Sequence, residues 1–149
     1  MASANSVALA DRASRKRAIL ILAATLVFLA IQLVARPVFV EGPAEDFRVR
    51  GYFWALNAGA LILLLATGGG LAERREIRAL VDDQVSASHR GLAVAIGFWI
   101  AMALALIVYC LPGLGDLTSR ETVYTIVTPS ISAALLAFSW LELRAHRDA

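Results

Sequence analysis

Charged side chains are scarce in this chain. Asp, Glu, Lys and Arg make up 17% of its 149 residues, against 59% hydrophobic residues and a mean hydropathy of +0.69. An ordinary soluble domain carries about 25% charged and about 45–50% apolar residues. The shortfall argues against a soluble enzyme, and the apolar excess argues against a disordered chain. Cysteine is scarcer still, with Cys110 alone. One cysteine forms no internal disulfide and offers no paired spacing for zinc or an iron–sulfur cluster. Its simplest reading is a small apolar residue at the end of an apolar run. The two histidines, His89 and His146, both lie beside arginines at the edges of apolar runs. A metal or haem site needs ligands that converge inside a bundle. Both histidines are therefore read as solvated, and the sequence assigns no catalytic residue, no metal ligand and no cofactor.

The charges that are present are unevenly placed. They leave four long stretches nearly empty, over 18–35, 51–72, 91–119 and 122–141, with Asp116 near the end of the third as the one charge among them. Each supplies the roughly 20 apolar residues that cross a bilayer as a helix. The first, the shortest, extends past Arg36, which can snorkel, toward Val40. The third is cut by Leu111-Pro112-Gly113. The spacing predicts spans over 18–40, 51–72, 91–111 and 122–141. The expected fold is a single all-α domain over 1–149, an integral membrane four-helix bundle running up-down-up-down. Arg15-Lys16-Arg17 before the first run also has the start of a signal peptide. The run is longer than the usual h-region of about 7–15 residues, and Leu33 is a poor residue for a cleavage motif. An uncleaved span is expected.

Basic residues set the orientation, because short cytoplasmic flanks are enriched in Lys and Arg. The N-terminal tail carries Arg12, Arg15, Lys16 and Arg17, the middle loop Arg74, Arg75, Arg78 and Arg90, and the C-terminal tail Arg144 and Arg147. The other side keeps only Arg36, Arg48, Arg50 and Arg120. Both ends are expected inside a bacterial inner membrane. Glu41 to Asp46 reads as a turn leading into the second span, with Tyr52, Phe53 and Trp54 as an outer aromatic belt and Trp140 as an inner belt residue. Thr118 and Glu121 have capping-box spacing at the start of the fourth helix.

The predicted spans hold no Asp, Glu, Lys or Arg near their centres. Proton relays, ion-coupled transporters and voltage sensors place ionisable groups there. A small multidrug exporter would match in size and span number, but it needs a glutamate in the middle of the first span, where this chain offers Thr25 and Gln32. The remaining polarity is neutral. Asn57, Tyr109, Thr125 and Thr128 are the chief intramembrane polar candidates, read as hydrogen bonds between helices, with a small-ligand pocket as the alternative. Ala55, Ala58, Gly59 and Ala60 thin one side of the second helix, and Ser130, Ala133, Ala134 and Ala137 one side of the fourth. Pro129 is expected to kink the fourth helix. Gly68-Gly69-Gly70 lacks the continuation of a phosphate loop and reads as a helix end.

The segment 73–85 is the richest stretch. Ile77, Leu80, Val81 and Val85 recur at three- and four-residue spacing, so a helix with one apolar side is expected there. Ser86-Ala87-Ser88 then reads as a turn or cap into the third span. Charges alone would hold this loop in the cytoplasm. The sharper reading makes Arg74, Arg75, Glu76, Arg78, Asp82 and Asp83 a charge-complementary docking surface for a protein partner. Direct nucleic-acid binding is not expected, because the acids of the loop cancel its bases.

The run Ala72-Glu73-Arg74-Arg75-Glu76-Ile77-Arg78 before a third span resembles an uncharacterised family of small four-span prokaryotic membrane proteins, often encoded beside helix-turn-helix regulators. Ala72 stands where that family has an aspartate. The resemblance implies a membrane component of a regulatory pair and not an enzyme. The expected function is a small inner-membrane interaction or regulatory protein. It would lie in the lipid bilayer and dock a cytoplasmic partner, a transcription regulator being one such partner, through the 73–90 loop. The alternatives are an accessory subunit of a respiratory or photosynthetic membrane complex and a small transporter of a neutral or hydrophobic solute. The small bundle leaves room for self-association as a homo-oligomer.

Overall fold

The computed structural model describes residues 4–41, 44–67, 84–111 and 117–145, with side chains at 12, 14–34, 51–67, 86–111 and 117–145. It is all-helical over these residues. The helices are α1 (Ala4–Glu41), α2 (Ala44–Ala66), α3 (Gln84–Cys110) and α4 (Ser119–Ala145). Three contain stretches long and apolar enough to cross a membrane, namely Ser14–Val34, Ser86–Cys110 and Ser119–Ala145. The apolar stretch of α2 is shorter, Gly51–Ala66. At 1.5 Å per residue it reaches about 24 Å, against a hydrocarbon thickness of about 30 Å. The rest of the expected second span, from residue 68, lies outside the described residues.

The packing follows two facing seams. On α1, Ala18, Ile21, Thr25, Phe28 and Gln32 are buried, at alternating spacings of four and three. That rhythm holds one face of a helix toward a neighbour. On α4, Thr128, Ser132, Leu135, Ser139 and Glu142 repeat it. α4 is the central helix. It packs most extensively on α3, then on α1, while α2 lies more lightly against α4 and α1. Ser130 and Ala134 form a second row on α4 and meet Gly97 of α3. A Cβ at Gly97 would stand 2.9 Å from Ala134 Cβ and 3.0 Å from the Ser130 carbonyl oxygen. Only glycine permits that approach, and the fully buried Ala93 lies one turn earlier. Small residues on both helices thus bring their backbones together.

The expected thin side of α2 does not take part in this way. Ala58 is buried, but Ala55, Gly59 and Ala60 are exposed, and a Cβ at Gly59 would meet nothing within 4 Å. Its larger neighbours Leu61 and Leu65 make the contact instead.

Helix ends differ from the sequence expectation in two places. Ser86, Ala87 and Ser88 are not a turn, because α3 already begins at Gln84. Ser86 turns inward and takes a hydrogen bond from α1, which holds this first turn in the bundle. Likewise Ala44, Glu45 and Asp46 of the expected turn already belong to α2, and Glu41 still belongs to α1. Other ends are as expected. α1 runs through Arg36 and Pro37 to Glu41. At the start of α4, the Thr118 N–H donates to Glu121 Oε2 at 2.6 Å and the Glu121 N–H donates to Thr118 Oγ1 at 3.3 Å, a reciprocal capping box. α4 passes unbroken through Pro129. Around it Ser130 and Ser132 hydroxyls donate back to the carbonyls of Ile126 and Thr128.

Chain direction alternates along the bundle. The starts of α1 and α3 and the ends of α2 and α4 share what is here termed the basal end. Arg90 Nη1 donates there to the Ala66 carbonyl at 2.8 Å, satisfying an oxygen left over at the end of α2. The opposite end is termed distal. Large apolar side chains such as Leu20, Leu33, Leu56, Trp99 and Leu106 face outward, while Thr25, Gln32, Ser132, Ser139 and Glu142 are buried.

Candidate functional site

One pair of charges at the basal end is enclosed, not solvated. Arg17 and Glu142 are 7% and 5% exposed. Arg17 sits beside Ala18 on the seam face of α1, and Glu142 closes the seam of α4, so the packing of α1 on α4 brings these charges together. Arg17 Nη2 lies 3.6 Å from Glu142 Oε2. The same nitrogen donates to Ser86 Oγ of α3 at 2.9 Å. Ser14 Oγ donates to Glu142 Oε2 at 3.1 Å. His89 Nδ1 stands 3.4 Å from Glu142 Oε1, a contact that becomes a hydrogen bond when Nδ1 carries a proton. The guanidinium carbon of Arg17 lies 6.0 Å from the centre of the Phe138 ring. Three helices therefore meet on one carboxylate and one guanidinium. Two buried polar atoms of this region, Arg17 Nε and Ser139 Oγ, have no hydrogen-bond partner.

Burying both charges is costly unless each is paired and hydrogen-bonded. Glu142 has an opposite charge and a hydroxyl donor on one oxygen and His89 on the other. Removing either charged partner leaves the other buried and uncompensated. The expectation that His89 is solvated is thus corrected. Its side chain is 18% exposed and faces Glu142. It lies about one turn along α3 from Ser86, so the helical start that turns Ser86 inward carries His89 in with it.

At the distal end the contacts are neutral. Tyr124 Oη donates to Gln32, reaching its Oε1 at 2.8 Å and its carbonyl oxygen at 3.1 Å. Trp54 Nε1 donates to Thr128 Oγ1 at 3.3 Å, and the Trp54 and Tyr124 rings lie 5.9 Å apart. This knot ties α1, α2 and α4.

The polar candidates named from sequence do not gather into one pocket. Thr128 is buried and engaged by Trp54. Thr125 is part-buried. The Asn57 amide donates to the Phe53 carbonyl on its own helix at 2.8 Å, so it joins no second helix by that bond. Tyr109 is 89% exposed, which corrects its reading as a contact between helices. It lies near the end of α3. Arg74, Arg75, Glu76, Arg78, Asp82 and Asp83, the proposed docking surface, lie outside the described residues. Among the described residues, no three His, Cys, Asp or Glu side chains converge as metal ligands.

Sequence reading missed Arg17 and Glu142 by assigning them to tails. The seam spacing carries the signal. Ser14 precedes Ala18, and Glu142 follows Ser139, in the same four-and-three rhythm as the apolar positions. The chain matches no protein-family model, no curated protein and no solved structure.

Proposed function

We propose that this chain is a small inner-membrane interaction protein that crosses the bilayer four times with both ends in the cytoplasm. It holds a cytoplasmic partner through the 73–90 loop. The observation that carries the membrane part is the outward apolar surface. Large apolar groups such as Leu20, Leu33, Leu56, Trp99 and Leu106 face out all round the bundle, far more than a water-soluble bundle exposes. The basic residues at the basal end favour a cytoplasmic placement. The interaction role is supported by how the chain is gathered there. The N-terminal stretch through Ser14 and Arg17, the exit from the loop through Ser86 and His89, and the start of the C-terminal tail through Glu142 are tied to one cluster. A partner that bound the loop would act on α3 within two turns of that cluster. The resemblance to four-span proteins encoded beside helix-turn-helix regulators points to a transcription regulator as the partner.

Two experiments test this. Reporter fusions after residues 43, 115 and 149 should report outside, outside and inside. Affinity capture in mild detergent should recover a cytoplasmic protein with the wild type and lose it with Arg74→Ala/Arg75→Ala/Arg78→Ala. Unchanged recovery by the triple variant removes the docking loop.

An accessory role in a larger membrane complex is a second reading. α3 favours it, because it packs chiefly on α4 and leaves Phe98, Trp99, Met102 and Leu106 outward. It predicts capture at fixed stoichiometry that loop substitutions leave intact.

A further inference from the structure

The two oxygens of Glu142 are served differently. Oε2 faces the Arg17 guanidinium and accepts the Ser14 hydroxyl, neither of which titrates near neutral pH. Oε1 meets His89 Nδ1 at 3.4 Å, and an imidazole does titrate there. The His89 side chain is 18% exposed and so open to protons from outside, while the carboxylate behind it is enclosed. The charges on the surrounding helices sort simply. α4 turns Glu142 toward His89 and leaves Arg144 exposed. α1 brings Arg17 to the other oxygen and leaves Arg15 and Lys16 exposed. Arg90, next to His89 on α3, reaches to the Ala66 carbonyl of α2. The described side chains of α2, over 51–67, include no charged residue. Among the described residues, Glu142 is therefore the charge that His89 faces.

A neutral imidazole carries a single N–H. When that proton sits on Nε2, the Nδ1 lone pair points at the carboxylate and is repelled by it. A protonated imidazole donates from both nitrogens, so Nδ1–H meets Oε1 in a charge-assisted bond. Arg17 stands on the other oxygen, so each cation has an oxygen of its own. We propose that His89 is a proton-operated clamp: its protonation ties the start of α3 to the end of α4, and its deprotonation releases that tie. Arg17 holds Ser86 about one turn earlier at either pH, so the second of two ties changes and the bundle stays assembled. His89 lies within two turns of Gln84, where α3 begins. The clamp thus sets how firmly the exit from the 73–90 loop is held. It rests on the described cluster, and its bearing on a partner rests on the docking reading above.

The test uses the full chain in mild detergent, with spin labels at Ala87→Cys and Trp140→Cys, both exposed positions, in a Cys110→Ser background. Pulsed electron paramagnetic resonance reads the distance distribution between α3 and α4. With His89 present, that distribution should narrow as the pH falls from about 8 to about 5, the range in which an ordinary imidazole changes charge. His89→Asn places an amide N–H close to the position of Nδ1 and does not titrate, so it should give the narrow distribution throughout. His89→Phe keeps a ring without a donor and should give the broad one throughout. A distribution that ignores pH when His89 is present overturns the clamp. So does a pH response that survives in either variant, because another group would then be its source. The labels report with no partner bound. A failed clamp therefore leaves the docking loop standing, and a failed capture experiment leaves the clamp standing.

Discussion

The two ends of the bundle hold their helices by different physics. At the basal end, a carboxylate and a guanidinium are buried together, and hydroxyls and an imidazole complete their surroundings. At the distal end, Gln32, Tyr124, Trp54 and Thr128 share neutral hydrogen bonds. Neutral bonds between helices in a membrane are worth under about 2 kcal/mol each, because the separated helices find other partners. A buried ion pair behaves differently. Its net contribution is small, but the loss of one member strands the other. The distal knot is therefore tolerant of single changes and the basal cluster is not. This places the sensitive end of the molecule beside the segment proposed to meet a partner.

The largest expected effect comes from breaking the basal pair. Glu142→Leu should cost about 3–5 kcal/mol of stability, read as a lower midpoint in denaturing-detergent unfolding. A change within about 0.5 kcal/mol would put Glu142 in contact with solvent and erase the contrast. Next comes the close approach midway between the ends. Gly97→Ala should cost about 1–3 kcal/mol, because its new methyl meets Ala134 Cβ and the Ser130 carbonyl, and the backbone cannot swing aside as a long side chain would. A neutral outcome would show that α3 slides on α4. At the distal end, Tyr124→Phe should cost about 1 kcal/mol in the same assay. A loss as large as that of Glu142→Leu would mean the ends are equally sensitive. The smallest effect is expected at Asn57→Leu. Its amide bonds to its own helix, so stability should stay within about 0.5 kcal/mol of wild type.

What was legible in the sequence divides along the same line. Runs without charge located the helices, and Thr118 with Glu121 marked the start of α4, because both signals are local along the chain. The distal candidate Thr128 was visible as a polar residue in an apolar run. The basal cluster was hidden because a count along the chain places Arg17 and Glu142 at the edge of a span, where charges usually meet water. Burial depends on which face of the helix a residue occupies. The four-and-three spacing through Ser14, Ala18, Ile21 and Thr25, and through Ser132, Leu135, Ser139 and Glu142, fixes that face. Read that way, His89 also changes meaning. It follows Ser86 on the inward side of α3 and is not a surface histidine. No Asp, Glu, Lys or Arg lies near the middle of the apolar runs, whereas an ionisable triad is enclosed at the basal end. The exposed Ala55 and Gly59 failed as a contact face for a related reason. Small size permits close approach, but Leu61 and Leu65 decide which side of α2 turns inward.

The central claim is that Arg17 and Glu142 form one buried unit joining α1 to α4, and a double-mutant cycle measures it. The full chain, Arg17→Leu, Glu142→Leu and the double variant would be unfolded reversibly in mixed micelles. The account predicts that each single change costs several kcal/mol and that the double variant is no less stable than either single, since two leucines fill the seam without a stranded charge. Additive losses in the double variant, or single losses below about 0.5 kcal/mol, would contradict it.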